Sequence, residues 1–248
     1  MTNLIRAELL KIRTTRTVYG LLAATLALVA VTVLSTLGQS ETRELDIPLI
    51  DRNLLFIPWG LVVVFVLVLG LRSYTDEFRH ASIVATLLAT PDRERVLVAK
   101  LAAVTVWSLL FTTAAYALTF AIVLPSLASA GMSTSISSQA AATLLGKAAL
   151  TGVLWAVLGL GIGLAVRHQV AAIAGTFVVL IIAERLVDAL WHEVAAYLPM
   201  AVTDSLNTHA RPHDVVPLGP LAAGLLLAGY AAAAVIAGAV LMRRRDVA

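Results

Sequence analysis

The chain contains no cysteine, which excludes a disulfide framework, a zinc–thiolate site and a thiol nucleophile. Charge is scarce as well: 13% of the 248 residues are Asp, Glu, Lys or Arg, against about 25% in ordinary soluble domains. Lysine is nearly absent, with only Lys11, Lys100 and Lys147 among eighteen basic residues. No G-x-x-x-x-G-K-[ST] phosphate loop occurs, so the chain lacks that means of binding ATP. What remains is apolar: 60% of residues are hydrophobic and the mean hydropathy is +0.92. A soluble core cannot absorb that much apolar surface, which leaves an all-helical integral membrane protein as the class. A sequence pI near 9.5 would suit nucleic acid. The cations, however, are scattered between apolar runs, the pattern of topology-determining charge, and no nucleic-acid partner is expected.

A spanning helix needs about 20 mostly apolar residues. Six segments qualify: Val18–Leu37, Leu54–Leu71, Leu101–Leu124, Ala148–Val166, Val170–Leu190 and Leu218–Met242. The basic stretch before the first resembles a signal-peptide start, but its apolar run is too long and no small-x-small site follows, so an uncleaved span is expected. With the N-terminus in the cytoplasm, thirteen basic residues fall inside, among them Arg6, Lys11, Arg13, Arg72, Arg93, Arg95 and Arg243. Only Arg43, Arg52 and Arg211 fall outside. Both termini are therefore expected in the cytoplasm. The whole chain, 1–248, reads as one transmembrane domain, with neither a soluble domain nor an internal repeat.

Two elements should lie at the inner face. Residues 2–16 carry Ile5, Leu9 and Ile12 on one helical face with Arg6, Lys11 and Arg13 around it, the pattern of an interfacial helix. The stretch Thr75 to Lys100, "TDEFRHASIVATLLATPDRERVLVAK", is too charged to cross a bilayer. Tyr74, Phe78, Ala81, Ala85 and Leu88 form one stripe of a helix that should end before Pro91. A second helix should start with Thr90 as cap and Pro91 in its first position, and run through Lys100 into the third span.

The pattern Glu77-Phe78-Arg79, Leu87-Leu88-Ala89-Thr90-Pro91, Arg93 and Lys100 resembles the first cytoplasmic loop of ABC-2 type transporter permeases, the membrane subunits of bacterial ABC exporters. The family's Gly-Thr step is Ala81-Ser82 here. The stretches "RAELLKIRTTRT", "AYLPMAV" and "RRRDV" are similar to actinobacterial members. The resemblance implies a six-span permease in the plasma membrane that pairs with a second permease subunit, identical or not, to form an efflux path. Two separate ATPase subunits would bind ATP and Mg2+, so the chain would be no enzyme and would bind no cofactor directly. It also implies that the loop is a coupling helix docked on the ATPase through Glu77, Phe78, Arg79, Leu88, Pro91 and Arg93. The short turn Arg167-His168-Gln169 would make a second contact.

Other features carry weaker signals. Glu184, Arg185 and Asp188 interrupt the fifth span, about 20 Å up the helix from its inner end. A structural pair or subunit contact is favoured there over a substrate gate or a proton site. Gly159 and Gly163 form a G-x-x-x-G step suited to close helix packing, within the subunit or across a dimer. "WHEVAA" lacks the second histidine of H-E-x-x-H, with Ala196 in its place, and His209, His213, Asp204 and Asp214 are interrupted by Pro212, so no metal is expected. In the family this outer region often forms short re-entrant helices, one of which Pro199 would end. The alternatives are an ion-coupled transporter or channel using Glu184 and Asp188, and a non-transporting immunity or assembly subunit. The cargo is not legible.

Overall fold

The computed structural model describes residues 1–40, 47–79, 86, 88, 90, 92–129, 137–166, 168–207 and 218–244, and all regular structure among them is helical. Helix α1 (Thr2–Thr14) turns at Thr15 into α2 (Arg16–Ser40). Then follow α3 (Ile47–Arg79), α4 (Arg93–Ser129) and α5 (Ser138–Ala165). The next span is broken into α6 (Gln169–Phe177), a π-helical turn (Val178–Ala183) and α7 (Glu184–Leu190). Two short helices, α8 (His192–Ala195) and α9 (Pro199–Leu206), precede the last helix, α10 (Pro220–Arg244).

Five helices among the described residues are long and apolar enough to cross a bilayer: Arg16–Gly38, Arg93–Ser129, Ser138–Ala165, Gln169–Leu190 and Pro220–Arg244. The remaining expected span, Leu54–Leu71, lies within the 33 residues of α3. Apolar runs of this length fold as helices because, in lipid, each backbone N–H and C=O must find its partner inside the segment. Buried threonines obey the same constraint. Thr25, Thr112, Thr119 and Thr176 each donate to the carbonyl four residues earlier.

Helix α5 is the centre of the bundle and packs against α3, α4 and α10. Its glycines make this possible. A Cβ on Gly159 would collide with the Leu67 carbonyl of α3, and one on Gly163 with the Leu71 carbonyl. Gly70 of α3 sits equally close to Ala156 and Leu160 of α5. On the other side Gly161 abuts Ala234 and Val235, and Gly238 abuts Leu164, which brings α10 in as closely. The G-x-x-x-G step thus packs α5 on α3 within the subunit.

Three local expectations change. The fifth span is not one uninterrupted α-helix: the Glu184 N–H bonds the Val179 carbonyl five residues back. The wider turn relieves a crowded run of branched side chains (VVLIIA) and offsets the faces before and after it. The cap of α4 is Asp92 rather than Thr90, its Oδ1 accepting from the N–H groups of Glu94 and Arg95 at 3.1 and 3.3 Å. Pro199 begins α9, as its fixed φ suits a first helical position, and ends nothing. Of the loop stripe, Tyr74 is buried and touches Phe78 at 5.2 Å between ring centroids, Leu88 is exposed, and Ala81 and Ala85 lie outside the described residues.

The seam predicts a contrast between glycines. Gly159→Val should destabilise the protein by roughly 2–4 kcal/mol through backbone collision. Gly229→Ala, where nothing lies within 4 Å of the added Cβ, should leave stability unchanged. Thermal unfolding of the two purified variants in the same detergent checks this.

Candidate functional site

At the end of the bundle that carries α1, three buried charges meet a fourth that reaches them from the surface, Lys11. Glu8 and Lys11 come from α1, Glu77 from the last turns of α3, and Lys100 from the third turn of α4. Lys100 is 1% exposed, Glu8 3% and Glu77 6%. The Lys100 ammonium donates to Glu8 Oε2 at 2.8 Å, Glu77 Oε1 at 2.7 Å and the Ser73 carbonyl at 3.0 Å, which uses all three of its protons. Lys11 donates to Glu8 Oε1 at 2.6 Å, Glu77 Oε1 at 2.8 Å and Thr86 Oγ1 at 3.2 Å. Two carboxylates and two ammonium groups sum to zero charge, the condition under which ions tolerate burial.

The electrostatics of α1 follow. Burial pushes the Glu8 carboxyl up, but Lys100 and then Lys11 more than offset it, and the group is held below its ordinary 4.5. Burial pushes the Lys11 ammonium down, but its hydrogen bonds to Glu77 and Glu8 prevail and hold it above its ordinary 10.5.

Around this network the helix ends are laced together. Arg79 donates to Gln169 Oε1 at 3.1 Å, joining the end of α3 to the start of α6. Arg93 donates to the Met242 carbonyl, and Glu94 pairs with Arg243, so the start of α4 holds the end of α10. Arg72 and Asp76 form an ion pair at 2.9 Å one turn before Glu77. His168 caps α6, its Nδ1 accepting from the Ala171 N–H at 3.3 Å. Leu88 is 78% exposed. The loop residues Glu77, Phe78, Arg79 and Arg93 and the turn residue His168 thus converge on one end of the molecule, while Pro91 and Arg167 lie outside the described residues.

Near the opposite ends of these helices Glu184 is buried, and its Oε2 accepts from the Met200 N–H at 3.3 Å, in the first turn of α9. A carboxylate there complements the positive helix end. Arg185 is exposed and Asp188 half-buried. Helix α9 is pinned to α5, with Trp155 Nε1 donating to Thr203 Oγ1 at 2.9 Å and Asn207 Nδ2 to Thr151 Oγ1 at 3.3 Å. Tyr230 of α10 donates to the Tyr197 carbonyl at 2.8 Å. Among the described residues no group of three or more His, Asp or Glu side chains is placed to hold a metal ion. His209, His213 and Asp214 lie outside them.

Reading residues 2–16 as an interfacial helix from its apolar and basic residues overlooked Glu8. The signal was present: an acidic residue stands at position 8 within the apolar stripe Ile5, Leu9, Ile12. A carboxylate on a buried face needs a buried cation, and Lys100 is one of only three lysines in the chain.

Two predictions follow from this network. Lys100→Met should cost up to about 3–5 kcal/mol by leaving two buried carboxylates only the exposed Lys11 as a counter-charge, and Glu8→Gln in the same chain should recover part of the loss. A double-mutant cycle on thermal unfolding measures the coupling. The pH dependence has a defined sign. The lowered Glu8 contributes stability that is complete above 4.5 and lost as pH falls through its depressed value. The raised Lys11 contributes stability that is complete below 10.5 and lost as pH rises through its elevated value. The unfolding temperature of the wild type should therefore fall below pH 4.5 more steeply than that of Glu8→Gln.

A search of curated proteins found no match. A family model described as "ABC-2 family transporter protein" matches residues 4–183. The matched stretch runs from α1 to the end of the π turn and includes all four residues of the buried network. The chain therefore belongs to the ABC-2 transporter family.

Proposed function

We propose that the chain is the permease subunit of an ATP-driven exporter in a bacterial plasma membrane. It works as a dimer, with ATP hydrolysed by two separate subunits docked at the end that carries the buried charge network. The observation that carries this reading is the network itself, within a chain of this family. Three buried ions and the exposed Lys11 pair where α1 meets both flanks of the charged loop 80–92, one on α3 and one on α4. A loop whose flanks are fastened this firmly transmits a push from a soluble partner into the spans, whereas a frayed loop would absorb it.

In this reading α3 supplies the second of six spans, both termini are cytoplasmic, and α1 lies along the inner headgroup layer. The docking surface includes Leu88, which is exposed, and Arg93, close to it in sequence, holds the start of α4 to the end of α10. Glu77 is internal and acts by holding the loop's root. The Arg79–Gln169 contact ties the loop to the turn 167–169, so both cytoplasmic elements move together. The power stroke needs only that the ATPase bind two states of the membrane subunit with different affinity.

Co-expression with the ATPase encoded beside it and purification through a tag on the permease test the reading. The pair should copurify and hydrolyse ATP. Failure to retain any ATPase overturns it. Leu88→Glu should lower ATPase retention by about tenfold, as expected for a charge placed in an apolar contact, while leaving the unfolding temperature of the isolated permease unchanged. Arg93→Ala should keep the ATPase but lower its stimulation by the permease.

A further inference from the structure

Beside the charge network, α1, the first turns of α2 and the end of α3 enclose a cleft of about 310 Å³. Val18, Leu21 and Leu69 line its apolar side, and Arg72, Asp76 and Glu77 lie on its polar side. Two acceptors are left over. Arg72 occupies Asp76 Oδ2, and the two lysines occupy Glu77 Oε1. Asp76 Oδ1 and Glu77 Oε2 are buried and have no hydrogen-bond partner among the described residues. Glu77 as a whole is 6% exposed. Buried carboxylate oxygens demand donors.

We propose that this cleft binds the headgroup of a phospholipid bearing a primary ammonium, a phosphatidylethanolamine. The ammonium offers three protons, enough for both orphan oxygens. Glu8, Asp76 and Glu77 are balanced by Lys11, Arg72 and Lys100, so the surroundings are neutral and favour a zwitterion over a net anion or cation. Arg72 stands beside Asp76 with guanidinium protons to spare for the phosphate. A trimethylated choline head brings the charge but no N–H donor, and a glycerol head brings no cation. The lining also selects a lipid over a free amine. The cleft sits at the elbow where the polar α1 becomes the apolar α2, the level of a membrane interface, and Val18, Leu21 and Leu69 flank the way an acyl chain would leave. The proposal requires the chain to sit in a bilayer and stands whether or not an ATPase docks.

The test uses the full chain in nanodiscs holding equal amounts of phosphatidylethanolamine, phosphatidylcholine and phosphatidylglycerol with matched acyl chains. Native mass spectrometry counts the lipid retained after release. One ethanolamine lipid per chain should be retained about tenfold over either competitor, because only it completes a buried hydrogen-bonded charge contact. Asp76→Asn should bring the three lipids toward equal retention. Leu21→Trp fills the apolar side while leaving every charge in place, and should lose the lipid with the network intact. Equal retention of ethanolamine and choline lipids by the wild type overturns the proposal, as does wild-type retention in Leu21→Trp. Displacement of the lipid by water-soluble glycerophosphoethanolamine at equal concentration overturns the choice of a lipid and assigns the cleft to a free amine.

Discussion

An ammonium group that is 1% exposed, in a chain with only three lysines, must be given partners by whatever surrounds it. Lys100 receives them from two other helices, Glu8 on α1 and Glu77 on α3. That requirement is what positions α1. An amphipathic helix with Arg6, Arg13 and Lys11 could settle on a membrane surface in many orientations, since headgroup attraction is not directional. A buried carboxylate that must reach one nitrogen allows one placement. Lys11, on the same helix, then bridges back to Glu77 and across to Thr86, so α1 becomes the clasp of the charged loop's root.

The clasp closes only because the apolar packing beneath it is tight. Gly70, Gly159 and Gly163 let the backbones of α3 and α5 approach to contact. That approach carries Arg79, at the end of α3, to Gln169, which follows α5 after the turn 166–168. Gly161 and Gly238 do the same for α10, whose last turn is then within reach of Arg93 and Glu94. Small residues in lipid thus determine which polar side chains meet at the membrane face. Van der Waals packing dominates where no hydrophobic drive exists between helices. The contacts of Arg79, Arg93 and Glu94 report that packing rather than create it.

Much of this was legible before any coordinates. Long apolar runs bounded by charge give helices because lipid offers the backbone no other partner. The runs expected from Val18 and Leu101 fall within observed helices, and those from Ala148 and Leu218 overrun theirs by one residue at the end and two at the start. The residues around the loop were legible as a group through their resemblance to a family pattern. Pairings between distant positions were not. Arg79 and Gln169 are 90 residues apart, and nothing local marks either for the other. The π turn escaped for a different reason: hydropathy records side chains, while the turn is a change in backbone hydrogen-bond register. Asp92 and Thr90 are both competent caps, and the choice between them depends on where the chain leaves the loop, a tertiary property.

The two ends of the bundle are held by interactions of different strength, and this orders their resistance to rearrangement. Near Lys100, stranding one member of the network costs about 3–5 kcal/mol. Around α8 and α9 the contacts are mostly neutral: Trp155 to Thr203, Asn207 to Thr151, Tyr230 to the Tyr197 carbonyl. Each contributes about 1 kcal/mol net. Glu184 adds a carboxylate that accepts from the Met200 N–H in the first turn of α9. Its helix begins where the π turn ends, so a return to α-helical register would rotate Glu184 away from the Met200 N–H. A change of register in the π turn therefore moves α7 against α9 while the Lys100 network stays in place. The charged end is suited to move as a rigid unit, and the opposite end to open.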